Sequence, residues 1–362
     1  MSAITSSLMI LAVKHRVSEV FSHHRQWPAA LLLAILFLLV TACADTTPPM
    51  QVHSGITMGT TFSVKWIGVD GLESTEIARR IDSALVAINQ SMSTYISDSE
   101  LSVINQQPAG SAHQVSAELG EVLALSLEVG AISEGAFDIT VGPLVNLWGF
   151  GPNGRVLHAP SEDQIATVRP QVGFHKLQYD VNTRVLTRVV KSYIDLSAVA
   201  KGYGVDYVAE ILEKAGISDY LVEIGGELRA RGSKPNGQPW RIAIETPTAE
   251  FERSVQRILA VRDVSIATSG DYRNYFEDNG VRFSHTIDPA TAAPIDHRLA
   301  SVTVLMPTCA EADALATTLM VMGPDKGMAF ANEQGIKIFM LVKTDTGFEE
   351  RMSPGFEQYL VQ

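Results

Sequence analysis

The sequence predicts an α+β fold, a single large domain of mixed β-sheets flanked by helices. Two observations lead there. A chain of 362 residues with 46% hydrophobic and 19% charged residues can bury a sizeable core, and its composition is neither disordered nor fibrous. Stretches that alternate apolar and polar residues, as strands do, recur among stretches with one apolar helical face. The formal net charge of -12 argues against a nucleic-acid backbone as the main partner, because proteins that bind one carry basic faces.

The N-terminus reads as an address. Lys14, Arg16 and Arg25 precede an uncharged run from Trp27 to Ala42, which ends in Val40-Thr41-Ala42-Cys43. Basic residues, a short apolar stretch and small residues before a cut predict a signal peptide over residues 1–42 rather than a spanning helix. Small residues directly before a cysteine resemble the lipobox of bacterial lipoproteins, which implies Cys43 as a lipidated first residue and residues 43–50 as a tether. The alternative is a plain signal anchor with an incidental cysteine. With Cys43 lipidated, Cys309 is the one remaining thiol and no intrachain disulfide can form.

Residues 51–362 supply the domain. Val52 to Trp66 alternates as a strand or strand pair, interrupted at Met58-Gly59-Thr60-Thr61 as a bulge would interrupt it. Ser74 to Ile88 is an amphipathic helix with Ser74 or Thr75 as cap and Ile77, Ile81, Leu85 and Ile88 buried. Ser91 to Asn105 is rich in small hydroxylic residues around Tyr95, which by itself is an ordinary half-buried packing residue. Ser116 to Ser133 is a broad-faced core helix that ends at Gly135-Ala136-Phe137-Asp138, with glycine where a C-terminal cap expects it. A polar connection with a short helix follows from Pro152 to Arg169, and Val172 to Lys191 contains strands.

Ser192 to Leu196 reads as the end of a strand and Ser197 to Gly204 as a loop of small residues around Lys201. Val205 to Lys214 is a helix, and Tyr220 to Ile224 a strand broken by Gly225-Gly226. A loop at a helix N-terminus suits an anion, because the first turn's N–H groups lack partners. An ordinary crossover turn would use the same glycines. Trp240 to Glu245, Arg257 to Val264, Ser301 to Met306 and Gly335 to Lys343 are further strands. His285 lies in a chemically rich stretch, Arg282 to Pro289. A lone histidine is more often structural, although no side chain is better suited to take a proton near neutral pH. Asp313 and Thr317, four apart on the helix that begins near Thr308, share a face and can hold a hard cation such as magnesium. An acidic residue near a helix start and a threonine bonded back to the backbone need no metal.

In combination these stretches are more specific. Asp195-Leu196-Ser197 and Ala200-Lys201-Gly202-Tyr203, continued by Glu223-Ile224-Gly225-Gly226-Glu227, resemble the signature of the ApbE family of flavin transferases. In order along the chain, the same family is matched by Met58-Gly59-Thr60, by Ser93, Tyr95, Ser99 and Glu100, and by Gly135 to Asp138 with Trp148 to Gly151. Ser284-His285, Asp288-Pro289, Thr291 and Pro294 continue it, as does Glu311 to Thr317. The resemblance implies two related halves with the flavin site between them. It implies FAD as substrate, whose FMN half is placed on a threonine or serine hydroxyl of a target protein while AMP is released. Magnesium would be held by Asp313, Thr317 and the Ala200 carbonyl. The flavin nucleotide would be contacted by Met58, Tyr95, Ala136, Phe137, Asp138, Ser197, Lys201, Tyr203 and Ile287, with His285 as base and Asp288 as orienter or base.

The acceptors that the family implies are subunits of membrane redox complexes, such as sodium-pumping NADH:quinone reductase or Rnf-type complexes. With the lipid anchor, the protein is expected to be a bacterial membrane lipoprotein facing the periplasm, at the inner membrane rather than the outer. One departure stands out: Ala293 occupies a position assigned to glycine, where alanine would be strained if φ were positive. Two other readings remain, a magnesium-dependent FAD pyrophosphatase that delivers FMN to water and a lipoprotein that binds FAD without chemistry. The metal signature and His285 argue against the second.

Overall fold

The computed structural model describes residues 49–361 apart from 157, 248–253, 272 and 273, so the expected signal peptide and Cys43 lie outside the described residues. An eight-stranded sheet organises the chain: β1 (Met50–Thr57), β2 (Thr60–Ile67), β3 (Tyr220–Ile224), β4 (Glu227–Arg231), β5 (Val264–Gly270), β6 (Leu299–Met306), β7 (Lys337–Thr344) and β8 (Gly347–Met352). Spatial order follows chain order, and every neighbouring pair is antiparallel. Three of the pairs close over two-residue turns, the insertions after β2 and β6 carry the helices, and those after β4 and β5 carry short hairpins. Met58 and Gly59 form the first turn with φ of 49° and 72°. Two positive φ values match the twist of a tight hairpin, so these residues make a turn where the sequence suggested a bulge.

The helices are α1 (Ser74–Met92), α2 (Glu100–Gln106), α3 (Ala117–Ile132), α4 (Gly142–Leu147), α5 (Glu162–Val168), α6 (Ala200–Lys214) and α7 (Cys309–Gln334). On one face of the sheet, Phe62, Val64 and Trp66 of β2 and Val222 and Ile224 of β3 pack against Ile77, Ile81 and Leu85 of α1 and Val205, Val208 and Leu212 of α6. On the other, the hairpin of Trp240–Glu245 and Val255–Val261 packs Trp240, Ile244 and Leu259 against Leu228, Ile266, Phe339 and Leu341. A third core joins α3 to α7 through Leu119, Val122, Leu123, Leu315 and Leu319. Each such large apolar side chain contributes roughly 1.5–3 kcal/mol when fully buried.

Four further expectations are corrected. Ile77, Ile81, Leu85 and Ile88 are buried as expected, but neither Ser74 nor Thr75 caps α1; Glu73 holds the cap position without a side-chain bond. Ser192 to Leu196 forms no strand. Tyr193 makes a single parallel bridge to Val141, and the Asn105 side chain stands in for a neighbouring strand at Ile194. Its Nδ2 donates to the Ile194 carbonyl and its Oδ1 accepts the Ile194 N–H, both at 2.8 Å. The following helix starts at Ala200, so Lys201, Gly202, Tyr203 and Gly204 lie in its first turns rather than in a loop. Two glycines weaken local helix propensity, and tertiary contacts described below override it. Finally, the residue with positive φ is Ala292, at 62°, whereas Ala293 pairs with Asp288 in a short antiparallel ladder.

Helix α7 bends at Gly323-Pro324, where Gly323 has φ 78°. Pro324 has no N–H to offer the Met320 carbonyl, and His297 Nε2 donates to that carbonyl instead, at 2.8 Å.

Candidate active site

The N-termini of α6 and α7 meet. A Cβ on Gly202 would lie 2.3 Å from the Cys309 carbonyl oxygen and 2.8 Å from the Ala310 Cα, so only glycine permits this approach. Across the contact, Asp313 Oδ2 accepts the Gly202 N–H at 3.0 Å. Asp206 Oδ2 accepts the Ala310 N–H at 2.9 Å, and its Oδ1 takes Arg229 Nη1 at 3.0 Å. Cys309 is fully buried, with its thiol 3.8 Å from the Ile266 carbonyl.

Beside this contact lies a buried charge cluster. Lys201 Nζ is 3.5 Å from Glu227 Oε1 and 3.6 Å from Asp313 Oδ2, and donates to the Ser197 carbonyl at 3.4 Å. Burial alone would lower the lysine's pKa, but the Asp313 and Glu227 carboxylates outweigh it and hold the ammonium above its ordinary value. Burial pushes the Glu227 carboxyl above its ordinary value, with Lys201 pulling against the rise and Asp313 adding to it. In the sequence Glu227 stands only as the end of the matched signature, with no role of its own. The alternation Glu227-Leu228-Arg229-Ala230-Arg231 was the available signal, a charged strand face that turns toward α6 rather than toward water.

A cavity of about 660 Å³ adjoins the cluster, lined by Met58, Gly59, Ile88, Asn89, Met92, the segment 93–96, Ser197, Ala200 and Lys201. Asn89 Nδ2 ties α1 to the first hairpin by donating to Thr57 Oγ1 at 2.9 Å. The expected Ser93, Tyr95, Ser99, Glu100 pattern divides into builders and a displayed residue. Ser93 Oγ accepts the Tyr95 N–H, the Ser99 hydroxyl donates to the Ser93 carbonyl at 2.6 Å, and Glu100 accepts from Ser91, from the Ser116 N–H and from the Ser116 hydroxyl. Tyr95 itself is 68% exposed on the cavity wall.

His285 stands in the insertion between β5 and β6. Its Nδ1 lies 3.1 Å from the Asn274 carbonyl. A carbonyl only accepts, so Nδ1 carries the proton and the neutral ring keeps a lone pair on Nε2. Burial holds the imidazole pKa below its ordinary value; the Asn274 carbonyl opposes that, and the nearby Lys201 charge adds to it.

The other expected residues do not line this cavity. Asp288 Oδ1 accepts the Ala290 N–H at 2.8 Å in a tight turn, and Ile287 is buried beside Leu144, Trp148 and Ala292. Phe137 is in the core, and Asp138 accepts the Thr140 N–H and hydroxyl and the Phe174 N–H. Ala136, just before them, is half-buried. Tyr203 is buried and donates its hydroxyl to Glu121 Oε2 at 2.8 Å. The cavity thus collects Met58, Tyr95, Ser197, Ala200 and Lys201, with Asp313 reached through Lys201 and Gly202. Thr317 follows Asp313 by one turn, its hydroxyl 3.4 Å from that of Ser269.

Among the described residues no three His, Cys, Asp or Glu side chains are grouped to hold a metal. Asp313, Thr317 and the Ala200 carbonyl are instead one carboxylate and two neutral oxygens. That donor chemistry fits a hard cation such as magnesium, which fills the rest of its shell with water and phosphate oxygens.

Two helix N-termini in contact, a half-buried lysine beside a cavity, and an imidazole close enough to feel that lysine's charge, with Nε2 free, define an α+β protein equipped to hold an anionic ligand and move a proton. Comparison with known proteins gives the family. The chain belongs to the ApbE family, whose model matches residues 58–340. It is 47% identical over 338 residues to the FAD:protein FMN transferase of Vibrio cholerae, covering 93% of this chain and 99% of that one. Identity to the protein of the same name from Haemophilus influenzae is 42% over 336 residues, covering 91% and 97%. Among solved structures, the flavin transferase ApbE from Vibrio cholerae aligns with TM-score 0.80 at 44% identity, covering 86% of this chain and 99% of that one. The apo form of the Pseudomonas stutzeri flavinyl transferase ApbE aligns with TM-score 0.79 at 40% identity, covering 86% and 96%.

Proposed function

We propose that the chain transfers the FMN moiety of FAD to a threonine or serine hydroxyl of a target protein in a magnesium-dependent reaction. The observation that carries this reading is the convergence of Lys201 and Asp313 at one end of the cavity lined by Met58 and Tyr95, in a chain closely related to proteins of that activity. His285 Nε2 takes the proton of the acceptor hydroxyl. The freed oxygen forms a bond to the phosphorus on the FMN side, the bond from that phosphorus to the bridging oxygen breaks, and AMP leaves with the bridging oxygen. Asp313, Thr317 and the Ala200 carbonyl would hold magnesium, which would supply positive charge to the diphosphate. Lys201 adds a fixed positive charge, and Met58, Tyr95 and Ser197 hold the flavin nucleotide.

Lipidation at Cys43 would leave a short tether before β1 and put this site at a periplasmic membrane face, where subunits of redox complexes are the acceptors. No helix among the described residues is long and apolar enough to cross a membrane. The exposure of Tyr95 favours one second reading, FAD hydrolysis, since water reaches the same cavity. The test is to incubate the purified chain with FAD and magnesium and to follow AMP release with and without a threonine-bearing acceptor peptide. AMP with an FMN-sized mass gain on the peptide supports transfer. AMP with free FMN and an unchanged peptide supports hydrolysis, and FAD bound without AMP leaves neither.

A further inference from the structure

Glu227 opens β4 directly after the Gly225-Gly226 turn, on the sheet face that α6 covers, and is 5% exposed. Its Oε1 faces Lys201, while its Oε2 is buried with no hydrogen-bond partner. On the other side of the ammonium lies Asp313, and the three acceptors stand at 3.4, 3.5 and 3.6 Å from Lys201 Nζ. A closed ammonium–carboxylate bond would measure about 2.7–2.9 Å. The ammonium is therefore centred among its acceptors and closed on none of them. Glu227 and Asp313 stand at nearly equal range on either side of it, so neither takes it alone. Without Glu227, a charge on a flexible four-carbon stem has one carboxylate left to approach.

We infer that Glu227 is a positioning residue that draws the Lys201 ammonium away from Asp313, so that the Asp313 carboxylate stays available to a divalent cation. The inference rests on the reading of Asp313 as a magnesium ligand. A Glu227 that merely stabilised the fold would act whether or not Lys201 were present; a positioning Glu227 acts only through it.

The test is the magnesium dissociation constant, measured by calorimetry on the full chain without FAD, for wild type, Glu227→Gln, Lys201→Met, the double variant and Asp313→Asn. The expected result is a loss of about 10–100-fold in Glu227→Gln, as for other groups that orient a metal ligand. In the Lys201→Met background the same change should cost less than about twofold, which is the signature of coupling. Wild-type affinity in Glu227→Gln, or an equal loss in both backgrounds, overturns the inference. Wild-type affinity in Asp313→Asn overturns the ligand reading and the inference with it. Should Glu227→Gln not fold, Glu227→Asp gives the same cycle. Withdrawing the carboxylate by one methylene lets Lys201 move toward Asp313, so weakening that needs Lys201 supports the inference and equal weakening overturns it.

Discussion

Asp206 of α6 and Asp313 of α7 cap each other's helices. Asp206 accepts the Ala310 N–H at 2.9 Å, and Asp313 accepts the Gly202 N–H at 3.0 Å. Carboxylates at helix N-termini satisfy orphan donors and meet the positive end of the dipole, and each such cap is worth about 1 kcal/mol. The reciprocity matters more than the sum. It fixes the Asp313 carboxylate before any ligand arrives, and it requires the two helix starts to touch at Gly202.

Gly202→Ala is accordingly expected to destabilise the protein although alanine is the better helix former. The propensity gain is about 1 kcal/mol, against roughly 1–3 kcal/mol or more for forcing a methyl into a packed site. Here the obstacle is backbone, the Cys309 carbonyl at 2.3 Å, which cannot rotate aside. Gly204→Ala is the control, since its nearest obstacle is the mobile end of Met58 at 2.9 Å. Thermal unfolding should show a clear fall in Tm for the first variant and a smaller change for the second, with FAD affinity affected in both.

Activity should have an acid limb that lies below the ordinary histidine range. The His285 pKa is lowered from 6.5, so the imidazole is neutral, with Nε2 free, at every pH above that depressed value. Protonation below it removes the base, and kcat/KM falls as pH falls, while the profile is flat through neutrality. His285→Ala should lose about 10²–10⁴-fold in transfer with FAD still bound, and its acid limb should vanish. A limb centred above 6.5 would contradict burial as the controlling influence.

Much of this arrangement was legible in the sequence, and what was not has physical causes. The helix over Ser116 to Ser133 was visible because its caps and periodic apolar residues are local. The start of α6 was not, because Gly202 and Gly204 read as loop and the partner that fixes Gly202 lies 111 residues away. Asn105 acting as a neighbouring strand to Ile194 has no local trace either, with a separation of 89 residues. In the site, Met58, Tyr95, Ser197, Ala200 and Lys201 gather on one cavity. Asp288 and Asp138 hold turns with their carboxylates, a local role that is compatible with a ligand against their backbone.

Thr317→Val should raise the magnesium concentration needed for half-maximal activity. Valine keeps the branched shape and removes the oxygen, so the loss falls on the cation rather than on packing. The hydroxyl's one contact among the described residues is a long one, 3.4 Å to Ser269, so stability should change little. An increase of about tenfold or more is expected, at least that of disturbing a ligand's support, and Thr317→Ser should restore most of it. An unchanged magnesium requirement in Thr317→Val would remove this side chain from the cation's shell.

The turn after His285 offers a last test, on backbone strain. Ala292 is fully buried with φ 62°, and its carbonyl accepts Trp148 Nε1 at 3.1 Å, which holds the conformation in place. A left-handed alanine costs roughly 1–2 kcal/mol relative to an unstrained one, and a buried methyl returns about 0.8 kcal/mol. Ala292→Gly should therefore be neutral or slightly stabilising. Ala293 sits in the extended arm of the turn, where glycine gains no relief and costs about 0.5–1 kcal/mol in chain entropy. The expected order in denaturant unfolding puts Ala292→Gly above Ala293→Gly by about 1 kcal/mol. The opposite order would place the strained residue at Ala293, and with it the pivot that sets where Asp288 and His285 stand.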